Sequence, residues 1–292
     1  MHDFLKAVGF SKYKNSKEIR GLMEAVERDP SSKKIARMGD DKIFAEYRKD
    51  FGPSFGIALR GEVDEKGKFR PDYYYPYLNS IGITTIEYFE IEKQAEKDSY
   101  VGICDEVRVG VSLIFYLQNV SEYIKACARG KGDGSTSAII LSGLSNEANI
   151  LLPLEKSDDE RATIRRTVNK RHALITKARE GDEEAIENLA LDEIDTYSKI
   201  SHRVLQEDIF TIVDTSFMPY GIESDQYYAV GEILRVEETQ NELTGETVYQ
   251  MKLDCNDLIL PVCINKENLC GEPAVGRRFK GRVWVQGKIL FA

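Results

Sequence analysis

Phe279-Lys280-Gly281-Arg282-Val283-Trp284-Val285-Gln286 is the stretch on which the reading of this chain turns. Side chains of a strand point alternately to opposite faces. The alternation sets Phe279, Val283 and Val285 on one face and Lys280, Arg282, Trp284 and Gln286 on the other. The chain's one Trp therefore falls among basic and amide side chains. Outward from it, Tyr227 to Ala292 reads as five short strands, at 228–237, 246–254, 258–264, 278–286 and 288–292. Asn241-Glu242-Leu243-Thr244-Gly245 supplies the first hairpin loop and Asn256-Asp257 the second, both with residues that tolerate positive φ. Asn265 to Val275 joins the third and fourth strands, Gly281 bends the fourth and Gly287 ends it. Five strands with that connector predict an OB-like β-barrel, with an SH3-like barrel or a plain meander as alternative outlines.

Upstream the period changes several times. Phe4, Leu5, Val8 and Gly9 suggest a short opening helix, and Ile19, Leu22, Met23 and Val26 form the stripe of a second helix that Pro30 ends. Strands follow at 55–63, 68–78 and 83–91, and the nearly continuous apolar run 107–117 fits a strand buried on both faces. A short helix at 121–129 precedes a hairpin of 138–141 with 150–152, turning at Ser145-Asn146-Glu147. After Pro153 the pattern turns helical: a basic helix to about residue 179, an acidic one after Asp182, a third over 191–205, then an extended piece at 209–213. The expected fold class is α+β, with a mixed α+β domain at 1–156, a helical connecting segment at 157–222 and a five-stranded OB-like β-barrel at 223–292.

Bulk properties bound the function. At 292 residues, 42% hydrophobic and 30% charged, the chain is a folded protein long enough for two domains. A net charge of −9 disfavours nucleic acid and anionic membranes as partners, although the basic face of the last strands keeps nucleic acid open there. No apolar run is long enough to span a membrane, and Met1-His2-Asp3-Phe4 does not open a signal peptide. Five Cys without a CxxC suggest reduced thiols and a cytoplasmic location.

Two constellations compete as sites. Lys280, Arg282, Trp284 and Gln286, extended by Arg277 and Arg278, would make a shallow ligand platform on which an aromatic ring stacks and cations attract anions. The plainer reading, that Trp284 packs against the helical segment or a second subunit, is favoured because Trp is usually mostly buried. The alternative is a pocket near Cys104, Asp105, Glu106 and Arg108 together with Tyr73, Tyr75 and Tyr77. A Cys nucleophile needs a His base, and His2, His172 and His202 are poorly placed, so a buried thiol beside ion-paired acids is the better account. Bases toward the C-terminus of the 161–179 helix complement its dipole. Lys131 precedes the glycines of the Gly130–Thr136 loop, in the wrong order for a phosphate loop. Cys255, Cys263 and Cys270 match no zinc spacing. No metal or cofactor is expected.

Three groups of residues carry a resemblance over most of the chain. They are the opening Met-His-Asp-Phe-Leu-Lys-Ala-Val-Gly-Phe; the central Asp195-Thr196-Tyr197-Ser198, Glu207-Asp208-Ile209-Phe210 and Phe217-Met218-Pro219-Tyr220-Gly221; and the terminal Gly276-Arg277-Arg278-Phe279-Lys280-Gly281 with Trp284-Val285-Gln286-Gly287. Through them the chain resembles a bacterial family of about the same length and unknown function. The resemblance implies no activity, substrate or catalytic residue. The expected function is a cytoplasmic, non-catalytic binding or interaction protein that uses the barrel. An enzyme with its site near Cys104–Arg108 and a structural subunit of a homo-oligomer are the alternatives. The expected partner is another protein or a second copy of the chain.

Overall fold

Residues 278–290 form one unbroken strand, and that strand organises the molecule. The computed structural model describes residues 3–39, 42–94, 99–106, 108–132, 135–154, 166–167, 170–171, 173–178, 181–191, 214–222 and 224–291. A 3₁₀ segment, Asp3–Val8, and helix α1, Ser16–Arg28, open the chain. The side chain of Asn15 accepts from the Glu18 amide while Glu18 reaches back to the Asn15 amide, which closes both ends of a capping box.

Four strands then form an antiparallel meander: β1 Ser32–Met38, β2 Lys42–Asp50, β3 Phe55–Val63 and β4 Phe69–Leu78. The remaining strands make a ten-stranded sheet. They are β5 Thr85–Lys93, β6 Tyr100–Glu106, β7 Val111–Leu117, β8 Ser135–Leu151, β9 Ser216–Pro219, β10 Gln226–Gln240, β11 Thr247–Cys255, β12 Leu258–Asn265, β13 Leu269–Cys270 and β14 Arg278–Leu290. Helix α2, Val120–Cys127, links β7 to the loop before β8.

Strand β14 pairs antiparallel with β8 along its whole length, with β10 over 278–284, and parallel with β7 at Gln286 and Gly287. Pairing therefore runs round two closed circuits of five strands, β14–β10–β11–β12–β8 and β14–β7–β6–β5–β8, which share the β8–β14 ribbon. Phe279, Val283, Val285 and Ile289 of β14 join Phe115, Leu141, Leu260 and Val262 in one core. A second core lies on the opposite face, where Trp284 joins Phe4, Leu5, Tyr75, Tyr77 and Tyr116 beneath the meander and α1. The central strands are thus covered on both sides.

This architecture corrects the α+β expectation. Among the described residues the chain is mostly β, with fourteen strands in two sheets, and residues 223–292 do not form a five-stranded OB-like barrel of their own. The strands expected at 278–286 and 288–292 are one strand, so the five-strand circuit takes its remaining member from β8. Gly287 does not end the strand: a Cβ there would stand 2.4 Å from the Phe115 ring, so glycine makes room for a core aromatic in mid-strand. The expected hairpin at Ser145–Glu147 is also absent, because β8 runs straight through those polar residues. Ser145 Oγ donates to the Arg282 carbonyl at 2.8 Å and Asn146 Nδ2 donates to the Asp3 carbonyl at 2.8 Å, so both side chains donate to distant backbone rather than within a turn. The Asn256-Asp257 turn is as expected, with φ of 57° and 64°.

Of the expected middle helices, backbone at 166–167, 170–171, 173–178 and 183–191 is helical. Residues 161–165, 168, 169, 172 and 179 of the basic helix, residues 192–205 of the third, the 209–213 extended piece and all three His lie outside the described residues.

Candidate functional site

The pairing of β8 with β14 is interrupted once. Ala148 faces Gly281 and Ser145 faces Val283, which leaves Asn146 and Glu147 opposite Arg282 alone. Two residues against one is a β-bulge, a device that re-aims side chains out of the ladder. Gly281 belongs here because a Cβ would lie 2.7 Å from that of Ala148. The bulge forms the floor of an open groove of about 760 Å³. Its other wall is the N-terminal segment, with Asp3, Leu5 and Lys6 from the 3₁₀ turn and Phe10, Ser11, Tyr13 and Lys14 from the link to α1. That segment is anchored by burial of Phe4, Leu5, Ala7 and Val8 and by the Asn241 amide, which donates to the Val8 carbonyl at 2.7 Å.

Among the described residues, Lys6, Lys14, Lys280 and Arg282 line the groove with Asp3 and Glu147 as the acids. A local positive excess thus stands on a chain of net charge −9. Tyr228 of β10, 49% exposed, adds an open aromatic ring, with Tyr220 edge-on at 5.1 Å.

The platform residues separate. Lys280 and Arg282 border the groove, and the Arg282 guanidinium lies 5.0 Å from the Tyr220 ring centroid. Trp284 is 4% exposed, stacks on Phe4 at 5.4 Å, tilts against Tyr116 at 5.1 Å and donates its indole N–H to Asp225 Oδ2 at 2.7 Å. Gln286 is fully buried: it donates to the Pro76 carbonyl at 2.8 Å and accepts from Leu78 N and Gln118 Nε2, which ties the end of β4 to β14. Arg277 and Arg278 bond the carbonyls of Glu272 and of Leu152 and Asp214.

The second constellation is not brought together. Cys104 is on β6 in the first core, while Tyr75 and Tyr77 are on β4 in the second. Burial, with Glu106 nearby, pushes the Cys104 thiol up to about 12, which opposes thiolate formation. Asp105 accepts from Ser112 at 2.6 Å. Burial would raise the Glu106 carboxyl, but the Arg108 guanidinium, 2.7 Å away, outweighs it and holds the group below the usual range. Arg108 also donates to the Thr84 and Asp257 carbonyls. Tyr73 stacks on Tyr75 at 6.2 Å and lines, with Trp284, an adjoining hollow of about 540 Å³ edged by Asp3, Asp72 and Asp225.

Sequence reasoning missed the most tightly bonded polar group. Glu46 of β2 takes Arg48 on Oε1 at 2.7 Å and Arg60 of β3 on Oε2 at 2.6 Å. Tyr75 donates to Glu46 Oε2, and Arg60 donates to the Tyr116 hydroxyl and the Leu117 and Gln118 carbonyls. The two guanidiniums therefore clamp the end of β7 to the meander. Burial opposes the charge on Glu46, yet the two guanidiniums prevail and hold its carboxyl at about 2. Each of the three guanidinium nitrogens of Arg60 donates inside the protein, which makes this cluster a structural joint. Glu46 and Arg60 sit in strands whose alternation marks them as outward-facing, so only the stacking of two sheets reveals them.

No curated protein and no solved structure matches the chain. A family model described as "Domain of unknown function, E. rectale Gene description" (DUF3881) matches residues 5–287, so the chain belongs to that family.

Proposed function

We propose that this chain is a binding protein that holds an anionic ligand in the groove between its N-terminal segment and the β8–β14 bulge. One observation carries the reading: Lys6 and Lys14 converge with Lys280 and Arg282 on one concave surface. Cations gathered from both ends of an acidic chain give a short-range attraction that the overall charge opposes at long range. A groove with an aromatic ring and few acids suits a ligand better than a chain-spanning interface does.

Calorimetric titration with inorganic phosphate, citrate and nucleoside monophosphates tests it. Wild type should bind at least one of them, with affinity that falls as salt rises. The double variant Lys280→Glu/Arg282→Glu should lose about tenfold or more while keeping its circular dichroism spectrum. Absence of binding to any anion, or equal binding by the double variant, overturns the reading.

A further inference from the structure

Asn146 is 7% exposed and lies in the groove wall at the bulge. Its Nδ2 donates to the Asp3 carbonyl at 2.8 Å, which fixes the amide, since a flipped amide would set oxygen against oxygen. The remaining atom, Oδ1, is buried and accepts no hydrogen bond. A buried acceptor left unmatched is destabilising, so a ligand donor that reached it from the groove would relieve that cost.

This narrows the ligand. Sulfate offers acceptors to Lys280 and Arg282 but no donor to Asn146, and inorganic phosphate carries its P–OH on the same small group that the cations would hold. The ligand that completes the groove carries an anionic group and also an N–H or O–H. It has a flat face as well, because Tyr228 presents a half-exposed ring on the same groove. On the reading that the groove takes an anion, we infer that its ligand is a nucleoside phosphate. The phosphate lies against Lys280 and Arg282, the base against Tyr228, and a base N–H on Asn146 Oδ1. A volume of about 760 Å³ accommodates one nucleotide. The net charge of −9 repels a polyanion at long range, which favours a small phosphate over a nucleic acid.

The test is calorimetry on the full chain with the four common nucleoside 5′-monophosphates, ribose 5-phosphate, inorganic phosphate and a short single-stranded oligonucleotide. At least one nucleotide should bind about tenfold or more tighter than inorganic phosphate. Asn146→Ala should return that nucleotide to the phosphate level without changing phosphate binding. Tyr228→Ala, at a half-exposed position that does not threaten folding, should do the same. Equal affinity for phosphate and every nucleotide overturns the inference and leaves anion binding standing. Ribose 5-phosphate binding as tightly as the best nucleotide removes the base from the argument and overturns it too. Tighter binding of the oligonucleotide with a steeper salt dependence assigns the groove to nucleic acid instead. If nothing binds, the anion reading falls together with the inference.

Discussion

Arg60 Nε lies 2.6 Å from Glu46 Oε2, with both side chains 1% exposed. Together with Arg48 this makes a buried cluster of two cations and one anion at the junction of two sheets. Glu46→Gln would leave both guanidiniums without a counter-charge and should cost about 3–5 kcal/mol, read as a shifted urea midpoint. The carboxyl sits at about 2 in the folded state against an ordinary 4.5, so the unfolded chain binds more protons between those values. Its contribution is present above pH 4.5 and is lost as pH falls toward 2. The wild-type midpoint should fall over that window more steeply than that of the variant. Parallel curves would show that Glu46 is not held ionised.

Trp284 gives a direct optical check on the second core. Packed between Phe4 and Tyr116, it should emit to the blue and resist acrylamide quenching. Phe4→Ala removes one wall of that packing and should destabilise by about 3–5 kcal/mol while shifting the emission to the red. A quenchable, red-shifted wild-type spectrum would contradict the packing.

Gly287→Ala should destabilise by about 1–3 kcal/mol, because its Cβ would overlap the buried Phe115 ring. The double change with Phe115→Leu should recover part of the loss relative to Phe115→Leu alone. Additive losses in that cycle would place the strain elsewhere.

Lys288 donates to Asn79 Oδ1 at 2.7 Å, and burial, with Arg48 and Lys34 nearby, pushes its amine down to about 8 from 10.5. The unfolded chain then binds more protons between pH 8 and 10.5, so this group makes stability rise with pH across that window. Lys288→Met should be more stable than wild type at pH 7 by about 1 kcal/mol after allowance for solvent screening, and the gap should close by pH 10.5. Taking the difference between the two proteins removes the opposing contribution of the buried thiols. A gap that stays constant over this range would refute the depressed amine.

How much of the fold is legible in the sequence follows from the range of each interaction. The 16–28 helix was readable because its apolar stripe and its end signals lie within a few residues of one another. The Asn256-Asp257 turn was readable for the same reason. Ser145-Asn146-Glu147 reads as a turn from the sequence because polarity at a bulge resembles polarity at a hairpin, and the difference lies in partners as distant as Asp3 and Arg282.

Alternation along 279–286 was correct as geometry: the odd positions do face one core, and Lys280, Arg282, Trp284 and Gln286 do face the other way. It could not reveal that a second sheet and the N-terminal segment cover part of that other face. The cover buries Trp284 and Gln286 and leaves Lys280 and Arg282 at its edge.

The sequence by itself therefore determined local periods, turn chemistry, and which residues share a side of a strand, since those depend on neighbours along the chain. Only the tertiary structure decided that β8 closes both circuits with β14, that Glu46 meets Arg60, and that Lys6 and Lys14 join Lys280 and Arg282. Those contacts join residues far apart along the chain, and packing two apolar faces, a property of the whole fold, selects them.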